Sequence, residues 1–239
     1  MKKLSNFYRI GQVNEEELKK CLSKLKLVKL ADGRYDVMGD VDFRSLELNS
    51  LLEIPIRIRR VTGDYHCDAN HLRDLEGAPE RVDGDFYCSE NQLQTLRGAP
   101  EYVGGSFYCY RNYLQTLEGA PKYVGGSFDC WGNQLKTLKG APERVEGEFN
   151  CSANNLTSLE GAPRQVVRGS FSCSANHLTS LEGAPEYVGG SFICTGNRLT
   201  SLEGAPKRVG MDFICFDNPR KFTEEEVRKL VDVRGKVIA

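Results

Sequence analysis

Apolar and polar residues recur along this chain with a period of about 21 residues. The unit has an aromatic residue, a cysteine two positions later, an asparagine three after the cysteine, and leucines five and eight after it. One copy consists of Phe107, Cys109, Asn112, Leu114 and Leu117. A fixed period of this length predicts a solenoid whose repeats stack on their neighbours.

The alternation within each copy predicts which side chains point inward. In Phe-x-Cys, strand geometry directs the aromatic residue and the cysteine into the core and the residue between them outward. The asparagine falls where the backbone leaves the strand, and we expect its amide to bond buried backbone groups there. The return half, as in residues 118–126, is rich in Gly and Pro and favours extended or polyproline-like backbone with turns. The cysteines of this ladder are Cys67, Cys88, Cys109, Cys130, Cys151, Cys173, Cys194 and Cys215.

The repeat resembles the leucine-rich-repeat pattern L-x-x-L-x-L-x-x-N-x-L, with Phe or Tyr at the second apolar position and Cys at the third. The resemblance covers roughly residues 40–219. It implies a right-handed coil with one parallel β-sheet on the concave face, an irregular or polyproline-like convex side and small α-containing caps. Copies with Leu-Glu-Gly-Ala-Pro, as at 159–163, are similar to repeat proteins of tailed bacteriophages and some bacteria.

Segments with different patterns flank the repeats. Residues 1–38 contain a helix signal over about 14–26, with Asn14 as N-cap and Glu17 at the third helical position, followed by a short hairpin around residues 31–33. Residues 219–239 contain a capping box from Thr223 to Glu226. We therefore predict an N-terminal cap over 1–38, a solenoid of about 8–9 coils over 39–218, and a C-terminal capping helix over 219–239.

Charge and composition exclude several classes of function. The chain has 32 Lys and Arg against 33 Asp and Glu, which gives no general attraction to nucleic acid or to a membrane. Residues 39–218 hold 17 basic and 24 acidic residues, and this balance slightly favours a basic partner. The chain has no run of 18 apolar residues and no apolar leader, so we expect a soluble protein of the bacterial cytoplasm.

No residue constellation predicts catalysis, a cofactor or a metal site. His66 and Cys67 are adjacent, but strand alternation points them to opposite faces, so they cannot act as base and nucleophile. The chain has no Cys-x-x-Cys pair, and the ladder places one thiol in each coil with no histidine partner. We expect these thiols to be buried, free and packed as small apolar groups.

The outward strand positions are the candidates for binding, because partners of leucine-rich repeats usually contact the concave face. Early copies are aromatic and charged there, whereas the fifth and sixth copies have Ser, Ala and Asn. Exposed aromatic residues beside an arginine are typical of interaction hot spots, although cross-strand packing also favours aromatic residues in strands. The candidate partner-binding residues are Tyr87, Glu90, Tyr108, Tyr110, Arg111, Tyr113, Asp129 and Trp131.

A second outward apolar group, formed by Ile193, Ile214 and Phe216, is expected to lie under the C-terminal cap.

Three hypotheses of function follow. The first is a non-enzymatic module that holds a protein partner on its concave face, such as a phage protein that sequesters a host factor. The second is a structural component that assembles with copies of itself. The third is a nucleotide-binding surface in which Tyr108, Tyr110 and Trp131 stack on a base while Arg111 contacts phosphate. The oligomeric state stays open.

Overall fold

The computed structural model describes residues 13–166 and 168–239, and these form a parallel β-solenoid of about ten turns. Each regular coil contains two short strands separated by a turn. Over the described residues the strands form an eleven-stranded sheet and a ten-stranded sheet, and each strand pairs with its equivalent in the next coil. All pairings are parallel except that of the first two strands, which form an antiparallel hairpin.

The ten-stranded sheet contains the Phe-x-Cys segments and the eleven-stranded sheet contains the segments that end in valine. In chain order the strands are β1 (Leu27–Lys29), β2 (Tyr35–Val37), β3 (Val41–Asp42), β4 (Ile58–Val61), β5 (Tyr65–His66), β6 (Arg81–Val82), β7 (Phe86–Tyr87), β8 (Tyr102–Val103), β9 (Phe107–Tyr108), β10 (Tyr123–Val124), β11 (Phe128–Asp129), β12 (Arg144–Val145), β13 (Phe149–Asn150), β14 (Gln165–Val166), β15 (Phe171–Ser172), β16 (Tyr187–Val188), β17 (Phe192–Ile193), β18 (Arg208–Val209), β19 (Phe213–Ile214), β20 (Asp232–Val233) and β21 (Val237–Ile238). Odd-numbered strands from β3 to β21 form the ten-stranded sheet, and β1 with the even-numbered strands forms the other.

The second sheet refines the expected convex side. The return half is extended, as its Gly and Pro content predicts, but its residues also pair between coils, as in Tyr123–Val124 with Tyr102–Val103. Two residues per coil are enough because every coil repeats the same pairing in the same register. A period alone does not show this pairing, since it depends on how closely the coils approach.

The core consists of columns of identical residues that run along the stack. Phenylalanines from Phe86 to Phe213 are fully buried and stack face to face, with ring centroids 5.2 to 5.5 Å apart. The eight ladder cysteines and the two leucines of each coil fill the remaining columns. This packing confirms the inward positions predicted from the repeat.

Helix α1 (Glu15–Lys24) closes the N-terminal end within the range predicted for a helix. The Asn14 side chain accepts a hydrogen bond from the Glu17 backbone N–H, and Leu18 is buried in the core. The hairpin of β1 and β2 follows, with Leu27 opposite Val37. A short 3-10 helix (Leu51–Glu53) replaces the regular pattern in the first coil.

The C-terminal end differs from the predicted capping helix over 219–239. Helix α2 (Glu224–Leu230) begins with the predicted capping box of Thr223 and Glu226, but it is only seven residues long. The chain then forms β20 and β21, which extend both sheets by one more coil. The segment Asp232 to Ala239 repeats the valine and apolar spacing of earlier coils, but it has Val237 at the aromatic position and Ala239 at the cysteine position.

Candidate functional site: the outer face of the ten-stranded sheet

The residue between the aromatic residue and the cysteine points away from the core in each regular coil. Phe128 and Cys130 are fully buried, whereas Asp129 between them is half-buried and pairs in register with Tyr108 and Asn150. These outward residues therefore form one continuous row. We call it the outer row; it comprises Asp42, His66, Tyr87, Tyr108, Asp129, Asn150, Ser172, Ile193, Ile214 and Ile238.

Three neighbouring members of the outer row form an aromatic stack. The His66 and Tyr87 rings are 4.2 Å apart at their centroids and nearly parallel, and the Tyr87 and Tyr108 rings are 4.8 Å apart. The Tyr87 hydroxyl donates a hydrogen bond of 2.9 Å to the carboxylate of Asp85. Burial and this hydrogen bond raise the pKa of Tyr87 well above its ordinary value. We call these three rings the aromatic stack.

A second aromatic group lies beside the stack. The Arg111 guanidinium is 5.3 Å from the centre of the Trp131 ring and bonds the Glu90 carboxylate at 3.0 Å. Both Glu90 and Arg111 have positive φ values, 55° and 53°, because the chain turns sharply after the strand. Tyr113 lies two residues beyond Arg111 and is 51 % exposed.

Asp129 and Glu148 form an acidic pair at the edge of this aromatic region. Burial raises the pKa of Asp129, and its carboxylate accepts a hydrogen bond from the Trp131 backbone N–H at 3.0 Å. Burial, followed by the charge of Asp129, raises the pKa of Glu148. Among the described residues no basic side chain forms an ion pair with either carboxylate. The pair therefore keeps an unneutralised negative charge.

A ladder of short polar side chains runs beside the outer row, and the sequence analysis missed it. Asp64 accepts a hydrogen bond from the Asp85 backbone N–H one coil later, and Asp85 does the same for Ser106. Ser106 and Ser127 continue the ladder with their hydroxyl oxygens. The signal was an Asp or Ser three residues before most of the ladder cysteines. Its carboxylates add negative charge to this face.

The eight candidate residues all belong to the coils that carry these groups. Tyr87 joins Tyr108 in the aromatic stack, and Glu90, Arg111 and Trp131 form the group beside it. Tyr110 follows Cys109 on the same face and is half-buried. His66, Asp85 and Glu148 belong to the same surface and were not among the candidates. A role in binding stays a prediction for the eight candidates and for these three residues.

The period of about 21 residues and the stacked coils with inward leucine, cysteine and asparagine columns define the architecture. The fold is a parallel β-solenoid of about ten turns, and its repeat has the spacing of the leucine-rich-repeat pattern. Among solved structures, YopM from Yersinia enterocolitica WA-314 is similar to this chain, with 15 % identity over 83 % of this chain and a TM-score of 0.35. The chain spans 65 % of that protein's length. No protein-family model and no curated protein matches the chain.

The apolar group at the far end of the solenoid is not covered by the C-terminal cap, contrary to expectation. Phe216 is 45 % exposed, and Ile238, which extends the outer row after Ile214, is 41 % exposed. Helix α2 instead packs at the end of the stack, where Leu202, Phe222 and Leu230 line a small cavity. Helix α2 has only seven residues and leads directly into another coil, so it is too short to extend across the sheet face.

The outer face of the eleven-stranded sheet also carries stacked aromatic residues. Tyr102 and Tyr123 are 5.2 Å apart at their ring centroids, and the Arg81 guanidinium lies 3.8 Å from the Tyr102 centroid. Arg81 and Arg60 both bond Asp83, so their charges are neutralised. This stack resembles the one on the ten-stranded sheet in geometry.

Two features are absent from the described residues. In that part of the chain no helix is long and apolar enough to cross a membrane. The same residues contain no group of three or more His, Cys, Asp or Glu side chains placed to hold a metal ion.

Proposed function

We propose that this protein is a non-enzymatic binding module that holds a protein partner with a basic contact surface on the outer face of its ten-stranded sheet. The observation that carries the proposal is the aromatic stack of His66, Tyr87 and Tyr108 next to the unpaired carboxylates of Asp129 and Glu148. Leucine-rich repeats in general act as protein-interaction scaffolds.

The aromatic stack supports the proposal because its rings are already ordered. Each ring is held by its neighbours, and Tyr87 is also held by its bond to Asp85. Binding therefore costs little additional side-chain entropy, and rigid aromatic side chains of this kind are typical hot spots. The fully buried columns beneath them add a scaffold with little freedom to reorganise.

The acidic pair favours a basic partner. A Lys or Arg side chain placed beside Asp129 and Glu148 would stabilise their ionised forms and lower their raised pKa values. Binding then releases protons, and affinity falls as the pH decreases through the raised pKa values of the free protein. Negative charge on the face also accelerates association at low salt.

The arrangement does not favour stacking of a nucleotide base within the outer row. The His66, Tyr87 and Tyr108 rings are already in contact with each other, and the 4.8 Å between Tyr87 and Tyr108 leaves no gap for a planar base. Arg111 is bonded to Glu90 and lies near Trp131. We therefore place binding of a protein surface ahead of a nucleotide.

A solenoid that covers its partner would act by sequestration. The resemblance to repeat proteins of phages and bacteria makes a factor of the bacterial cytoplasm the first partner to test. Self-assembly is the competing use of the same surface, and light scattering at several concentrations separates the two, because a stable monomer excludes it.

The test compares matched double variants on the two sheets. We expect Tyr87→Ala with Tyr108→Ala to abolish capture of the partner from a bacterial extract, because it removes the centre of the surface. Tyr102→Ala with Tyr123→Ala removes a similar stack from the other sheet and should leave capture unchanged. Mass spectrometry identifies the captured protein, and its purified form then gives the affinity at pH 4 and pH 7.5.

Capture that is equal for both double variants would show that the aromatic stack is not the binding surface. An affinity that does not decrease between pH 7.5 and pH 4 would remove the role of Asp129 and Glu148, since their pKa values are raised from 3.8 and 4.5. Circular dichroism of both variants verifies that each remains folded.

A further inference from the structure

The apolar group at the C-terminal end lies on the same face as the proposed binding surface. Ile193, Ile214 and Ile238 are consecutive members of the outer row on β17, β19 and β21. Phe216 follows Ile214 by two residues on this face and is 45 % exposed. We call these four residues the apolar patch. Ile238 is also exposed, and Ile193 and Ile214 are half-buried. Contiguous apolar side chains that reach the surface at one place mark an interaction site more often than scattered ones do.

Between the acidic pair and the apolar patch, the outer face carries short polar side chains that hydrogen-bond each other. The hydroxyl oxygens of Ser152 and Ser172 are 2.8 Å apart, and the Thr195 hydroxyl donates to that of Ser174 at 3.0 Å. These short side chains bond each other and do not project from the sheet. A partner can therefore lie over them between the acidic pair and the apolar patch.

Charge and apolar character are separated along the outer row. Asp129, with Glu148 beside it, lies near the middle of the row, and the apolar patch begins three strands later. At about 4.8 Å per strand, Asp129 and Ile193 are roughly 15 Å apart. An extended peptide covers this distance with about four or five residues, since each residue adds roughly 3.3 Å.

We propose that the partner contributes one extended segment that lies along the solenoid axis. Its basic residues contact the acidic pair and the aromatic stack, and its apolar residues contact the apolar patch. About five residues separate the two groups. This inference rests on the proposed function and specifies the chemistry of its partner. Charge complementarity selects the basic end, and burial of the patch stabilises the other.

The test uses fluorescently labelled synthetic peptides. The probe has four Lys and Arg residues, a five-residue Gly-Ser spacer and the residues Ile, Leu and Phe, made in both chain directions. Controls are the basic half alone, the apolar half alone, and a peptide whose spacer is one residue long. Fluorescence anisotropy with the full chain gives each Kd.

We expect the long-spacer peptide in one direction to bind at least tenfold more tightly than the basic half alone and than the short-spacer peptide. Ile214→Ser with Phe216→Ser should remove this gain while the affinity for the basic half stays unchanged. Leu230→Ser is the matched control, because this leucine is 61 % exposed but belongs to α2 and not to the sheet face. It should retain the gain.

Equal affinity of the long-spacer, short-spacer and basic peptides would overturn the inference. So would a tenfold gain that survives Ile214→Ser with Phe216→Ser. Analytical ultracentrifugation tests the other occupant: a wild-type dimer that this double variant converts to monomer would assign the patch to a second copy. The proposed function fails separately, if the basic half binds equally to wild type and to Tyr87→Ala with Tyr108→Ala.

Discussion

In each regular coil one buried asparagine amide bonds backbone groups of two successive coils. The Asn91 amide oxygen accepts from the Leu72 N–H, and its NH₂ group donates to the carbonyls of Cys67, Cys88 and Ser89. This bonding confirms the role predicted for the asparagine. The cysteines add a weaker ladder, because the Cys67 thiol donates to the Tyr87 carbonyl at 3.3 Å, and most later ladder cysteines do the same.

Two buried hydroxyls, those of Tyr65 and Ser89, break this pattern of satisfied groups. Tyr65 occupies the first position of the phenylalanine column, between Phe43 and Phe86, and its hydroxyl has no hydrogen-bond partner. Burial raises the pKa of its phenol well above the ordinary value. A buried donor without a partner carries a desolvation cost of about 1–3 kcal/mol.

We expect Tyr65→Phe to raise the free energy of unfolding by about 1 kcal/mol, since it removes that hydroxyl and leaves the ring stack intact. Tyr87→Phe is the matched control, because the Tyr87 hydroxyl donates to Asp85 and its loss should bring no gain. Urea denaturation followed by circular dichroism measures both. A destabilised Tyr65→Phe would show that its hydroxyl is satisfied in solution.

At the scale of the element, the distance between coils depends on glycine positions, where the backbone of one coil packs directly against the backbone of the coil before it. Gly140, in the Gly-Ala-Pro turn, has φ of 87°, and a Cβ atom there would lie 2.5 Å from the Glu118 backbone nitrogen. Gly132 also has positive φ, 67°, but the nearest atom to its Cβ would be 3.7 Å away. Equivalent positions in other coils hold Ala153 and Ala175 at similar φ.

Gly140→Ala should therefore lower the free energy of unfolding by about 3 kcal/mol or more, the sum of left-handed strain and a backbone clash. Gly132→Ala has only the strain and should cost about 1 kcal/mol. Chemical denaturation of the two variants provides the comparison. Equal losses of unfolding free energy in the two variants would mean that the coils move apart at the turn and avoid the backbone clash at no cost.

At the scale of the whole molecule, the last described coil has backbone carbonyls that no further coil bonds. Within the eleven-stranded sheet, Arg234 and Gly235 donate their N–H groups to the carbonyls of Val209 and Met211. A further coil would bond the carbonyls of Val233 and Gly235 in the same way. The Arg228 guanidinium, from α2, donates to both of these carbonyls, at 2.8 and 2.9 Å. The helix thus closes an edge that would otherwise pair with another chain.

We expect Arg228→Leu to lower the free energy of unfolding by about 2 kcal/mol, because hydrogen bonds from a charged donor are lost, and to cause concentration-dependent association. Lys229→Leu removes the same charge from the same helix, but this lysine pairs only with the exposed Glu225. Light scattering and denaturation distinguish them. A monomeric Arg228→Leu variant with wild-type stability would contradict the capping role.

Much of the fold follows from the repeat, because a period of about 21 residues sets the direction of every inward side chain. The Phe, Cys, Asn and Leu columns could therefore be predicted, and so could the capping box at Thr223. The second sheet and the final coil could not. Pairing in the second sheet depends on the approach of coils, and the final coil lacks the aromatic residue and cysteine that identify the others.

The sequence by itself determined which residues face outward on each coil, including all eight candidates for binding. Only the tertiary structure decided which of them touch: the stack of His66 with Tyr87 and Tyr108, the pairing of Arg111 with Trp131, and the open apolar patch. The physical reason is that side-chain direction is local and repeats with the period. Contacts between coils depend instead on side-chain rotamers and neighbours about 21 residues away.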